Sequence, residues 1–284
     1  RRLTRVRRAT GLALDRPLRA LERARTALRR ARADASSGEN GVFDEASWRR
    51  VFATRTEAYR EMCAAVDLFV TPSRTLAERF VAWGLPADRL RRVAQGLDPA
   101  PFANAVKRPS PRLRLGFLGT IAPHKGVLDL IEAARQLPPD RVTLTIFGRT
   151  DQHRAYADRC RAAASGAPHI AFRGWLTRAQ VPRAYADIDV LCVPSRWDEC
   201  APLTIQEAFL AKTPCVVSGR GGLAELCTDG VDGLHARSGD VADWQRVLRR
   251  LVDEPDLVDR LRRGIRPVPT LGEHAAELEE LYRA

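Results

Sequence analysis

The stretch Leu113-Arg-Leu-Gly-Phe-Leu-Gly-Thr-Ile-Ala-Pro-His-Lys-Gly-Val127 decides the fold. Leu113–Leu118 is an apolar run with the length of a buried strand. Gly119 permits a tight turn and lets a ligand approach the backbone. Lys125 and Gly126 then open a helix predicted over 126–137. A strand, a glycine turn and a helix make the first half of a βαβ unit.

The alternation continues downstream. Strands are predicted at Val142–Phe147, His169–Phe172, Val190–Val193 and Cys215–Val217, with helices near 151–164, 178–187 and 203–212. Further helices follow near 240–252 and 256–263, and Gly230-Val-Asp-Gly-Leu234 reads as a turn into a short edge strand. The fold class is α/β, with right-handed βαβ crossovers and a doubly wound parallel sheet of Rossmann type. Ligands of such sheets bind beyond the carboxyl ends of the strands, so the loops after the strands matter most.

Upstream, the Pro-rich residues 98–112 read as a linker. Before them, residues 12–32 and 45–65 are predicted helices, the first with leucines on one face, the second with Trp48, Phe52, Tyr59 and Met62 facing inward. Ala65–Thr71 has a short buried-strand pattern, and Thr75-x-x-Glu78 reads as a capping box for a helix closed by Gly84. Asp67-Leu-Phe-Val-Thr-Pro-Ser-Arg74 is echoed by Asp189-Val-Leu-Cys-Val-Pro-Ser-Arg196, which suggests two domains of related architecture.

The chain of 284 residues carries a formal charge of +12. Such a balance suggests a nucleic-acid or membrane partner. Residues 1–32, however, hold twelve arginines against Asp15 and Glu22, so almost all the excess is local. No nucleic-acid motif or aromatic-interleaved basic patch appears, and nucleic acid is not expected as a partner. A basic amphipathic helix in 1–32 suits contact with anionic lipid and equally suits a solvated face. No apolar run is long enough to span a bilayer, and the expected location is cytoplasmic, with the inner membrane face as the alternative. Six cysteines without Cys-x-x-Cys spacing read as reduced thiols, mostly buried, rather than as a zinc site.

Only Lys107, Lys125 and Lys212 are lysines. Lys125, at a helix start, combines an ammonium with backbone N–H groups and forms a plausible phosphate site, or else is a surface lysine after a turn. The loop is neither a Walker A motif nor a dinucleotide fingerprint. After the fourth strand of the set, Val193-Pro-Ser-Arg-Trp-Asp-Glu-Cys-Ala-Pro-Leu-Thr-Ile-Gln-Glu-Ala208 places Glu199 in a loop and Glu207 one turn into a helix. These carboxylates suit sugar hydroxyls, while the N–H groups of Leu203 and Thr204 point at an anion. Alternatively they are solvated acids near a helix start. Gly219-Arg-Gly-Gly-Leu-Ala-Glu-Leu226 adds a Gly-rich turn, with Glu225 read mainly as structural.

In order, Gly-Thr-x4-Lys-Gly, strand-Pro-Ser, Glu-x7-Glu-Ala, Gly-Gly-x-x-Glu and Asp-Gly-x-x-Gly-Leu resemble the donor half of retaining glycosyltransferase family 4, the group 1 glycosyl transferases of GT-B fold. The Asp-x4-Pro-Ser of 67–73 and Gln95-Gly-Leu-Asp98 resemble the end of that family's acceptor domain. The segment from Ile265 resembles its returning tail. The resemblance implies a partial acceptor domain over 1–104, a donor-binding domain over 105–268 and a crossover helix over 269–284, and an N-terminally truncated transferase.

It also implies the chemistry. A hexosyl-type sugar would pass from a nucleotide-diphosphate sugar to a glycan, lipid or small-molecule acceptor with retained anomeric configuration, without cofactor or metal. Lys125 and Glu199 are the implied catalytic residues. Gly119, Thr120, Lys125, Gly126, Glu199, Leu203, Thr204 and Glu207 are the implied donor-binding set, with Glu207 on the ribose. Where the family often has arginine, this chain has Thr120, and Arg149 and Arg196 are candidate replacements on phosphate. The alternatives are an inactive or incomplete nucleotide-sugar-binding module and a GT-B epimerase.

Overall fold

The computed structural model describes residues 45–283 and four helical positions before them, Glu22, Arg25, Thr26 and Arg29. The remainder of the helix expected over 12–32 lies outside the described residues. The chain divides into two units, one of residues up to Val70 with Val81–Arg91, the other of Thr71–Phe80 with Arg92–Ala284.

In the first unit, α1 (Glu45–Ala64) buries Ala58 and Cys63. Trp48, Phe52 and Tyr59, expected to face inward, are exposed at 46%, 54% and 42%. The small residues of the helix supply its buried contacts instead, and Trp48 stacks on Phe52 along the surface with ring centroids 5.8 Å apart. Arg89 donates to the Cys63 carbonyl (2.9 Å) and the Asp67 carbonyl (3.2 Å), which ties the end of α1 to the chain beyond it.

The strand predicted over 65–71 shrinks to β1 (Phe69–Thr71), and α2 (Arg74–Ala82) follows it. β1 belongs to a two-stranded sheet with β2 (Leu90–Arg92). Only Thr71 of β1 is buried, because so small a sheet leaves one strand face to solvent. The residue capping α2 is Ser73, whose hydroxyl accepts from Leu76 N at 3.3 Å, rather than the expected Thr75. Gly84 ends this helix in the left-handed region, at φ +108°.

The larger unit contains the predicted sheet. In chain order its elements are β3 (Leu113–Leu118), α3 (Val127–Ala134), β4 (Val142–Phe147), α4 (Arg154–Ala164), β5 (Ile170–Gly174), α5 (Val181–Ala186), β6 (Val190–Val193), α6 (Leu203–Leu210), β7 (Cys215–Ser218), α7 (Gly221–Leu226) and β8 (Gly233–Ala236). Three helices complete it: α8 (Val241–Asp253), α9 (Leu257–Arg263) and α10 (Leu271–Arg283). Six strands run in the order β5-β4-β3-β6-β7-β8, and every pair is parallel.

Both faces of the sheet are covered, and β6 and β7 are accordingly buried along their whole length, whereas β4 alternates buried apolar residues with half-buried ones. Along β6, Val190 and Cys192 enter one core while Leu191 and Val193 enter the other. The first core is closed by α3 and α8. On α8 the buried residues Trp244, Val247, Leu248 and Leu251 recur at helical spacing, and the Asp240 side chain caps the helix through Asp243 N (3.0 Å). The second core holds Ile205, Ala208 and Phe209 of α6 with Leu223 of α7. Each fully buried large side chain contributes about 1.5–3 kcal/mol.

The Pro-rich stretch expected as a linker is docked. Phe102 joins the second core, its ring 6.0 Å from that of Tyr185. Lys107 Nζ donates to the Tyr185 and Ile188 carbonyls and to Thr213 Oγ1, each at 2.5 Å, and its burial lowers the ammonium pKa to about 7. The chain end returns to this region, where Leu271 N donates to Leu97 O (3.2 Å). Five of the six cysteines are buried, Cys200 being exposed. Burial raises the thiol of Cys160 to about 11 and those of Cys192, Cys215 and Cys227 further, so these stay protonated and inert.

Candidate active site

The sheet order reverses between β3 and β6. The chain leaves β3 towards β4 on one side and leaves β6 towards β7 on the other, which opens a crevice at the carboxyl ends of the two central strands. The two loops carrying the residues expected to do chemistry both emerge there.

After β3, Pro123–Lys125 forms a single 3-10 turn, and Gly126 follows at φ +65°. A Cβ at Gly126 would lie 1.9 Å from the Pro194 carbonyl oxygen, so only glycine lets this turn touch the loop after β6. The His124 carbonyl accepts from Arg196 N (2.8 Å) and from the Ser195 hydroxyl (3.1 Å). Joined in this way, the loops bring Lys125 Nζ to 2.6 Å from Glu199 Oε1. The pair is partly buried, with side-chain exposures of 28% and 14%.

Glu199 is braced on several sides. The Ser195 hydroxyl lies 3.0 Å from Glu199 Oε1. Gly222 N donates to the Glu199 carbonyl at 2.8 Å, and a Cβ on Gly222 would sit 1.8 Å from the Cys200 carbonyl oxygen. The neighbouring Asp198 accepts from Arg220 Nε (2.5 Å) and from Arg79. Its hydrogen bond to Arg220 outweighs desolvation and holds its carboxyl below the usual range.

Helix α6 begins where this loop ends. Pro202 is its N-cap, with extended backbone (φ −69°, ψ 124°) and no side-chain cap. Leu203 and Thr204 therefore present the first N–H groups of an eight-residue helix without a competing side chain. Glu207 lies one turn on, and burial raises its carboxyl pKa against the opposing effects of Tyr185 and Arg178. Thr204 and Glu207 line a cavity of about 230 Å³ with Gly119, Thr120, Arg149 and Trp175.

The two candidate arginines are placed differently. Arg149 lines that cavity, with its guanidinium 5.8 Å from the Trp175 ring and 3.1 Å from Asp151. Arg196 is engaged by Asp129, a buried carboxylate of α3, through Nε (2.7 Å) and Nη2 (2.6 Å). Glu225 serves a structural joint: its carboxylate accepts from Arg74 N (2.8 Å) and Thr75 N (2.5 Å) at the start of α2.

Sequence reasoning missed Tyr185, Trp175, Asp198 and Asp129. Tyr185 reads from sequence only as an apolar residue in a helix, and nothing local marks its partner Glu207. Asp198 is visible only as one more acid beside Glu199. Among the described residues, no group of three or more His, Cys, Asp and Glu is arranged to hold a metal ion, and no helix is long and apolar enough to cross a membrane.

Known proteins resemble this chain in sequence and in fold. A 2-deoxystreptamine glucosyltransferase of Streptomyces kanamyceticus is 31% identical over 153 residues, which are 53% of this chain and 39% of that enzyme. A glycogen synthase of Mycobacterium tuberculosis is 27% identical over 235 residues, 80% of this chain and 54% of that enzyme. The chain thus spans about half the length, or less, of these curated relatives. Among solved structures, Anabaena HepE in complex with UDP superposes with a TM-score of 0.72 at 19% identity, covering 81% of this chain and 68% of that one. This likeness shows the GT-B-type, Rossmann-like fold that the motifs led us to expect. The family model described as glycosyl transferases group 1 matches residues 102–267, more than half of the chain. With its parallel sheet and the two loops that meet at the switch point, the chain belongs to the glycosyl transferases group 1 family.

Proposed function

We propose that this chain carries the donor site of a retaining glycosyltransferase of family 4, which moves a hexosyl-type sugar from a nucleotide-diphosphate sugar to an acceptor. The observation that carries the reading is the meeting of Lys125 and Glu199 at 2.6 Å beside the uncapped start of α6. A diphosphate seated there would face an ammonium and two helix N–H groups. Charge on the departing nucleotide would build up where fixed positive ends already point, which lowers the barrier without new reorganisation. Glu199, freed from Lys125 as the ammonium turns to phosphate, would accept from sugar hydroxyls. Glu207 would accept from the ribose, and Arg149 is the better-placed arginine for phosphate. No metal or cofactor enters this scheme.

The relatives support the class, one being a glucosyltransferase and another a glycogen synthase. HepE, solved with UDP, supports a nucleoside diphosphate as the ligand type. The test is release of nucleoside diphosphate from a panel of UDP-, GDP- and ADP-sugars. Lys125→Ala should lower that release about 10²–10³-fold, the usual loss for one charge-stabilising donor. An unchanged rate would overturn the reading. Binding of nucleoside diphosphate with no sugar transfer to any acceptor would favour the second reading, a nucleotide-sugar-binding module.

A further inference from the structure

Tyr185 is fully buried on α5, yet its hydroxyl reaches the candidate site. It stands 3.1 Å from Glu207 Oε2 and 2.9 Å from the Thr204 carbonyl. A phenol carries one proton, so the two acceptors share it. Burial and the neighbouring Glu207 raise the phenol pKa well above its ordinary value, so the hydroxyl stays protonated and can only donate to a carboxylate. The backbone beneath it is fixed, because Lys107 clamps the Tyr185 carbonyl at 2.5 Å.

We infer that Tyr185 is a positioning residue for nucleotide binding, its hydroxyl holding one oxygen of Glu207 so that the other stays aimed at the ligand's hydroxyls. The inference rests on the reading of Glu207 as the acceptor for a polyhydroxyl nucleotide, and goes beyond it by assigning the group that sets its geometry and charge. Burial alone would favour a protonated Glu207, which could no longer accept through both oxygens. Donation from Tyr185 opposes that, as does the positive charge of Arg178. The other charged groups lining the two cavities that Glu207 borders are Asp98, Arg108, Arg149, Arg183 and Asp187.

The experiment is calorimetric titration of UDP, GDP and ADP into the whole chain across the mildly acidic range, with Tyr185→Phe, Glu207→Gln and the double variant. A nucleotide that binds the wild type should bind Tyr185→Phe about tenfold more weakly, the worth of one hydrogen bond to a charged group. The acid limb of its affinity should also move to higher pH. In the Glu207→Gln background, Tyr185→Phe should add nothing. If Glu207→Gln leaves affinity unchanged, the underlying reading of Glu207 fails. If Glu207→Gln weakens binding while Tyr185→Phe alters neither affinity nor the acid limb, the positioning role fails and that reading survives. Should Tyr185→Phe not fold, 3-fluorotyrosine labelling decides. The ¹⁹F resonance of Tyr185, assigned by replacing Tyr59, Tyr156 and Tyr282 in turn, should shift with nucleotide and with Glu207→Gln; an unmoved resonance overturns the proposal.

Discussion

Two strands of this protein are followed by Pro-Ser-Arg, and their continuations diverge. After β1, helix α2 starts at Arg74 itself, and the carboxylate of Glu225 is already hydrogen-bonded to the N–H groups of Arg74 and Thr75. After β6, the chain makes a longer loop, and α6 starts only at Leu203 with no side-chain cap. One helix start holds an internal anion and acts as a joint. The other has no side-chain cap, and on the proposed function it would receive an anion from outside, with Lys125 and Glu199 paired on the loops before it. The same local motif thus yields a closed or an open helix terminus, depending on whether another part of the chain supplies the carboxylate.

The contrast can be broken experimentally. The largest effect should come from the open end, where Lys125→Ala removes the adjacent cation and most of the transfer rate, whereas Arg74→Ala at the closed end should change the rate less than about twofold, since the joint uses the Arg74 backbone N–H, which alanine keeps. Next, Pro202→Asp gives α6 the internal carboxylate that α2 already has. We expect thermal stability to rise by about 0.5–1 kcal/mol and nucleoside diphosphate affinity to fall about tenfold, measured by unfolding and titration of the same sample. Unchanged affinity would mean that the open terminus is not used. The smallest effect belongs to Glu225→Ala, which should cost about 1 kcal/mol of stability and leave nucleotide affinity alone. Desolvation pushes the Glu225 carboxyl up, but its bonds to Thr75 and Arg74 outweigh this and hold it below its ordinary pKa. Its contribution is therefore present at neutral pH and is lost as pH falls through the lowered value, so wild type and variant should converge in acid.

Much of the larger unit was legible in the residues. The runs Leu113–Leu118, Val142–Phe147 and Val190–Val193 match their strands to the residue, because glycine, proline or a charged turn bounds each apolar run. Lys125 stood out by rarity and by the glycines around it. What the sequence hid was pairing at a distance. Arg196 looks available for phosphate until its partner Asp129, 67 positions away, is seen. Glu225 belongs to a helix start 151 positions earlier. Trp48, Phe52 and Tyr59 recur with a period that suggests burial, but periodicity does not say whether anything packs against that face. Tyr185 carried no signal in the sequence: it is fully buried, and only its hydroxyl, which apolar patterning ignores, joins it to the site.

The near-contact at Gly126 has a consequence for how this site can vary. With the turn after β3 resting on the Pro194 carbonyl and His124 bonded to Ser195 and Arg196, the two loops form one inheritable block. A length change in either would tear the other, so substitutions there should be strongly epistatic. On the proposed function, donor preference would drift more freely through cavity-lining side chains outside that block, such as Thr120, Arg149 and Trp175. A library aimed at new donors is best spent on those positions, with the backbone of 123–126 and 194–199 left as it is.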